Sequence, residues 1–87
     1  MFHVYILYSP SLDRFYIGQT NDVARRIFFH RAGRETYTRR AEDWALVFSK
    51  AVGTRGEALL LEQRIKRSKS RKSIQRWIQG GDQRVGP

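Results

Sequence analysis

Val4-Tyr5-Ile6-Leu7-Tyr8-Ser9-Pro10-Ser11-Leu12-Asp13-Arg14-Phe15-Tyr16-Ile17-Gly18 consists of two apolar, aromatic runs broken by Ser-Pro-Ser-Leu-Asp. Such runs, bounded by turn formers, read as a strand, a tight loop and a returning strand, here over residues 2–8 and 14–19. A loop centred on Pro10 and Ser11 sets a register with Tyr8 opposite Asp13 and Tyr5 directly opposite Tyr16. Side chains alternate between faces, so the two phenols then emerge side by side, next to a Gly18 that leaves a ligand room. The other face of the hairpin carries Val4, Ile6, Phe15 and Ile17, natural core residues. On the first strand His3, Tyr5 and Leu7 share one face, and Phe2, Val4, Ile6 and Tyr8 the other. Both faces are largely apolar, which predicts a sheet covered on both sides. His3 taken alone reads as a partly buried, hydrogen-bonded histidine.

Beyond the hairpin, Thr20 or Asn21 offers an N-cap, with Asp22 in the first turn. Residues 21–31 read as a helix stopped by Gly33. Val23, Ile27 and Phe28 are expected to face the sheet. Arg26 and His30, four apart, lie one above the other at the edge of that stripe and lean over the sheet. Arg25, Arg31 and Arg34 point elsewhere, to solvent or to phosphates. Residues 33–43 form an irregular connection carrying Tyr37, Arg39 and Arg40. Trp44–Val52 reads as a third strand, central or covered. Thr54-Arg55-Gly56-Glu57 is a capping box that starts a second helix through about Lys69, burying Ala58, Leu61 and Ile65. Glu62 falls on its inward stripe, where a carboxylate is seldom buried without a cation, and Arg26 and Lys66 are the candidate partners. The basic run Lys66–Arg76 leads into a short amphipathic helix docked through Ile74, Trp77 and Ile78.

Eighty-seven residues make one small α+β domain near the lower end of what a single core supports. We expect the domain to span residues 1–79, with 80–87 a flexible tail. The absence of cysteine excludes a disulfide frame, a cysteine-based zinc site and a thiol nucleophile. No apolar run approaches the ~20 residues needed to cross a bilayer, and the first residues already read as a strand. No membrane role and a cytoplasmic location are therefore expected. A formal charge of +9 predicts attraction to polyanions, nucleic acid first.

His3-Val4-Tyr5, Tyr16-Ile17-Gly18, Thr20-Asn21-Asp22, Arg25-Arg26, His30 and Ala58-Leu59 through Glu62-Ile65-Lys66 occur in an order that resembles the GIY-YIG nuclease superfamily, most closely its small stand-alone bacterial members. His3 stands where the first motif has glycine, and no asparagine after Asn21 matches the one some members carry. The resemblance implies a small three-stranded antiparallel sheet flanked by helices. It also implies hydrolysis of phosphodiester bonds, most simply in DNA, with Mg²⁺ or Mn²⁺ as cofactor. Tyr16 would help deprotonate water and Tyr5 would position or relay the proton. Arg26 would hold the scissile phosphate, His30 would bond a tyrosine or share the proton traffic, and Glu62 would bind the metal. Phosphate contacts are expected at Arg25, Arg39, Arg40, Lys66, Arg67, Lys69, Arg71 and Lys72. Selectivity would come from DNA structure or from a recruiting protein. The alternative is a basic nucleic-acid-binding module on the same fold without catalysis.

Overall fold

The structure is a computed structural model and describes residues 1–68 and 70–80. Its elements are β1 (Phe2–Ser9), β2 (Arg14–Thr20), α1 (Val23–Arg31), a 3₁₀ turn (Thr38–Arg40), β3 (Ala45–Val52), α2 (Arg55–Ser68) and α3 (Arg71–Gly80). The three strands form one antiparallel sheet in the order β2-β1-β3. The expected α+β architecture, a small three-stranded antiparallel sheet with flanking helices, is therefore present. β3, however, is an edge strand and not the central one. β1 takes the centre because both later strands pair with it.

The hairpin register differs from the sequence expectation by two residues. Tyr5 pairs with Gly18, Leu7 with Tyr16, and Tyr8 with Phe15 rather than Asp13. The loop is longer and is held by its own polar groups. Ser9 Oγ donates to Asp43 Oδ1 at 2.5 Å and accepts from the Leu12 amide, while the Ser11 amide donates to Asp43 Oδ2. Asp13 closes the loop at φ 54°, a left-handed conformation that aspartate tolerates. A shift of two residues keeps every side chain on its face, whereas a shift of one would have exchanged core and site. The phenols thus share a face as expected, but diagonally, with ring centroids 6.3 Å apart.

Both faces of the sheet are covered. Val4, Ile6, Ile17 and Phe48 pack with Ala58 and Ile65 of α2, and α3 adds Ile74, Trp77 and Ile78. On the other face Tyr5, Leu7 and Trp44 pack with Leu12, Tyr16 and Ile27 of α1. The capping box at α2 forms as the sequence specifies: Thr54 Oγ1 accepts from the Glu57 amide, and Glu57 Oε1 accepts from Gly53 and Thr54. The N-cap of α1 is Asp22, one or two residues later than expected, because its carboxylate accepts from the Arg25 amide. The end of α1 is a Schellman motif, with Gly33 at φ +75° and amides of Gly33 and Arg34 returning to His30 and Phe29 carbonyls. Phe28 is 70 % exposed and does not face the sheet. His3 is half-buried, and its Nδ1 has no hydrogen-bond partner among the described residues, contrary to expectation.

Gly18 makes room for Tyr5 rather than for a ligand. A Cβ there would lie 2.6 Å from the Tyr5 hydroxyl oxygen and 2.9 Å from Cζ. Gly18→Ala should therefore destabilise the protein by about 1–3 kcal/mol, the usual cost of overpacking a tight interior. Denaturant unfolding checks this, and an unchanged midpoint would mean the Tyr5 ring is free to move.

Candidate active site

The site is built where β1, β2 and α1 meet. Tyr5, on the central strand, is almost wholly buried, and its hydroxyl forms a 2.9 Å hydrogen bond with His30 Nε2. Arg26, one helical turn before His30, donates from Nε to the same hydroxyl at 3.4 Å, the long end of the hydrogen-bond range. Its guanidinium is held over the Phe29 ring at 4.8 Å from the centroid. Tyr16 projects from β2 and meets the His30 ring edge-on at 4.7 Å. The four residues that the sequence nominated from the hairpin and first helix are thus in one cluster. The helical spacing of Arg26 and His30 and the alternation of the strands put them there.

Thr38, Tyr37 and Trp44 also belong to this cluster, and sequence reasoning assigned them no part in it. Thr38 is fully buried, with Oγ1 2.8 Å from His30 Nδ1. Its carbonyl accepts from the indole N–H of Trp44 at 2.7 Å. Tyr37 stacks on Tyr16 with centroids 5.9 Å apart and remains 37 % exposed. Glu35 organises this loop by accepting from the amides of Tyr37 and Thr38. A threonine in a polar, arginine-rich stretch carries no pattern that marks it as buried, so Thr38 had no signal in the chain.

Burial sets the protonation of the cluster. It pushes the Tyr5 hydroxyl up to about 12, with the Arg26 hydrogen bond opposing it. Burial, followed by the charge of Glu35, also raises Tyr16, while Arg26 acts the other way. His30 is lowered, first by burial and then by the Arg26 charge, so the imidazole is neutral at pH 7.

Glu62 lies on α2, which packs on the opposite face. β2 is the sheet edge on that side, and the Glu62 charge is felt at Tyr5 while that of Lys66 is felt at Tyr16. The Glu62 side chain is 14 % exposed and pairs with Lys66 at 2.7 Å, one of the two partners expected. Among the described residues no group of three or more His, Cys, Asp and Glu could hold a metal ion. A single carboxylate, here largely covered and paired with Lys66, does not make a protein cage. It does suit Mg²⁺ or Mn²⁺ shared between one carboxylate, waters and substrate phosphates.

Of the expected phosphate contacts, Arg25, Arg39, Arg40, Lys66, Arg67 and Lys72 are exposed. Arg71 is exposed but engaged in a two-pronged pair with Asp13 that ties α3 to the hairpin loop. Lys69 lies outside the described residues, as do residues 81–87 of the expected tail. Arg31, expected to point to solvent or to phosphates, donates from Nε to the Trp44 carbonyl. No helix among the described residues is long and apolar enough to cross a membrane.

Residues 1–75 match the family model for the GIY-YIG catalytic domain, and the chain belongs to that family of nuclease-type domains, whose members are in general dependent on divalent metal. Within it, the chain is similar to small bacterial proteins designated UPF0213. It is 40 % identical to the UPF0213 protein of Cronobacter sakazakii over 73 residues, covering 83 % of this chain and 76 % of that one. It is 42 % identical to that of Yersinia enterocolitica over 67 residues, covering 76 % and 68 %. The solution NMR structure of a UPF0213 protein from Bacillus halodurans matches with a TM-score of 0.56 at 33 % identity, covering 95 % of this chain and 90 % of that one.

The neutral His30 has a consequence for stability. The unfolded chain binds a proton near pH 6.5 that the folded site resists, so His30 contributes stability above that pH and loses it as pH falls. The Tm of the wild type should fall more steeply from pH 7.5 to 5.5 than that of His30→Gln. Equal slopes would exclude His30 as the source.

Proposed function

We propose that the protein is a divalent-metal-dependent endonuclease that hydrolyses phosphodiester bonds in DNA, directed by DNA structure or by a recruiting protein, as in repair or recombination. The observation that carries this reading is the convergence of Tyr5, Tyr16, Arg26 and His30 on one point, close enough to Glu62 for its charge to act on Tyr5. We take residues 1–79 as the catalytic unit and the cytoplasm as its compartment.

Arg26 is the group to bind the scissile phosphate, since a guanidinium matches its oxygens and offsets charge growing in the transition state. Tyr16, the more accessible phenol, takes the proton of the attacking water as its own proton moves to Tyr5, and Tyr5 in turn gives up its proton to His30. A phenol is a poor base at neutral pH, and burial makes both poorer in the free protein. Their work therefore depends on Arg26 and on a bound cation. Glu62 would hold Mg²⁺ or Mn²⁺, which when bound supplies positive charge to the phosphate oxygens and a lowered pKa for water. Lys66 would then release Glu62 and turn to phosphate. Arg25, Arg39, Arg40, Arg67 and Lys72 supply contacts along the backbone, as Lys69 and Arg71 would if engaged.

The non-catalytic module remains the competing reading, and the Lys66 pair on Glu62 together with the high Tyr5 pKa is what favours it. Labelled duplex, single-stranded, flap and junction DNAs, incubated with Mg²⁺, Mn²⁺ or chelator, separate the two. Tyr16→Phe, Arg26→Ala and Glu62→Ala should each lower cleavage at least ~100-fold, a general-base or charge-stabilisation loss, while most binding survives. Binding without metal-dependent cutting on every substrate would leave the module. Neutralising Arg67 or Lys72 should instead weaken binding and reduce its salt slope by ~0.7–0.9 for each phosphate no longer neutralised.

A further inference from the structure

We propose that Thr38 is a positioning residue for this reaction: its buried hydroxyl holds the His30 imidazole so that Nε2 faces the Tyr5 hydroxyl and can exchange a proton with it. The proposal rests on the nuclease reading of the site and adds to it a residue outside the motifs that brought the site to notice.

The geometry around Thr38 is closed. Four hydrogen bonds fix the residue: Oγ1 with His30 Nδ1 at 2.8 Å, its carbonyl from the Trp44 indole at 2.7 Å and from the Ala41 amide at 3.3 Å, and its amide to Glu35 Oε1 at 3.2 Å. Thr38, His30 and Trp44 are all fully buried, so none can turn to water for a substitute partner. Both ring nitrogens of His30 are thereby engaged, one on the sheet and one on the loop. The charged and titratable groups facing the ring are Arg26 from α1, Tyr5 from β1, Tyr16 from β2 and Glu35 from the loop.

A neutral imidazole has one N–H and one lone pair. Arg26 already donates to the Tyr5 oxygen, which leaves the Tyr5 proton for Nε2 when Nδ1–H donates to Thr38 Oγ1. A threonine hydroxyl both donates and accepts, so the reverse arrangement is also satisfied. Thr38 O–H then donates to Nδ1, Nε2–H donates to Tyr5, and the Tyr5 proton turns toward substrate. The proton path follows from the first arrangement. As the Tyr5 oxygen receives a proton from the Tyr16 side, its own proton passes to Nε2. Nδ1–H stays on Thr38, the ring carries the positive charge, and the same path run backwards returns the proton to the leaving oxygen. Valine at position 38 fills the same space but offers Nδ1 no partner.

Thr38→Val and Thr38→Ser, in the full chain, test this by two independent readouts. The first is the ¹⁵N shifts of the His30 ring, which report the tautomer without requiring activity. Thr38→Val should displace them from their wild-type values, and Thr38→Ser should restore them. The second is cleavage of the best DNA substrate from pH 5.5 to 9. Thr38→Val should lower kcat about 10- to 100-fold with KM little changed, the scale at which partners that orient a functional histidine act. The acid limb of its pH profile should move to lower pH, because an imidazolium without an Nδ1–H acceptor is harder to form. Thr38→Ser should recover most of the rate. Should circular dichroism show that Thr38→Val does not fold, Thr38→Ala takes its place with the same expectations. Unchanged kcat and pH profile despite altered ring shifts would overturn the positioning role while leaving the nuclease reading intact. Lost activity with unchanged ring shifts would also overturn it. A wild type that cuts no substrate would remove the nuclease reading and the role with it, while the ring shifts would still report whether Thr38 holds Nδ1.

Discussion

The hydrogen bond between the Tyr5 hydroxyl and His30 Nε2 is the constraint on which the rest of the site depends. It joins the central strand to α1 across a face otherwise sealed by Leu7, Ile27 and Trp44. Burying a phenol and an imidazole there is tolerable only because each polar atom finds a partner, since an unpaired buried group costs roughly 1–3 kcal/mol. Every neighbour reflects that requirement. Gly18 clears space for the Tyr5 ring, Arg26 supplies a donor on one side, and Thr38 satisfies the far nitrogen. Polar groups so linked are specified together, and removing one exposes the next.

The two faces of β1 divide the labour of a small chain. Val4 and Ile6 anchor α2 and α3, while Tyr5 and Leu7, alternating with them, line the site. Stability and chemistry thus share one strand, and the rigidity of the core is passed to the phenol without an intervening loop. This is a favourable arrangement for holding groups to the tolerances that catalysis demands. It also leaves little freedom: the stacked rings of Tyr16 and Tyr37 lie at the accessible side of the cluster.

Features governed by short periods were legible in the sequence. Alternation placed Tyr5 and Tyr16 on one face, the four-residue spacing joined Arg26 to His30, and the capping box located α2. Features that depend on contacts distant in the chain were not. The hairpin register turned on Asp43 gripping Ser9 and Ser11, more than thirty residues away. The edge position of β3 depended on which partner it chose, a matter of topology and not of composition. Phe28 and Phe29 are equivalent in propensity, and only the helix phase told which one stays outside. Thr38 was invisible because its importance lies wholly in a partner eight residues back and another six ahead.

The brace from Trp44 through Thr38 to His30 bears on the order in which the molecule assembles. β1 and β2 are neighbours in the chain, but β3 must return across more than thirty residues to pair with β1. Such non-local pairing is the slow part of folding small mixed domains. Trp44 adjoins β3, so its indole reaches the Thr38 carbonyl only once that last strand is docked. A chain holding only the hairpin and α1 has its phenols, arginine and histidine, yet lacks the clamp that orders them. The ordering of the His30 ring is in this way tied to the docking of the strand that pairs furthest along the chain.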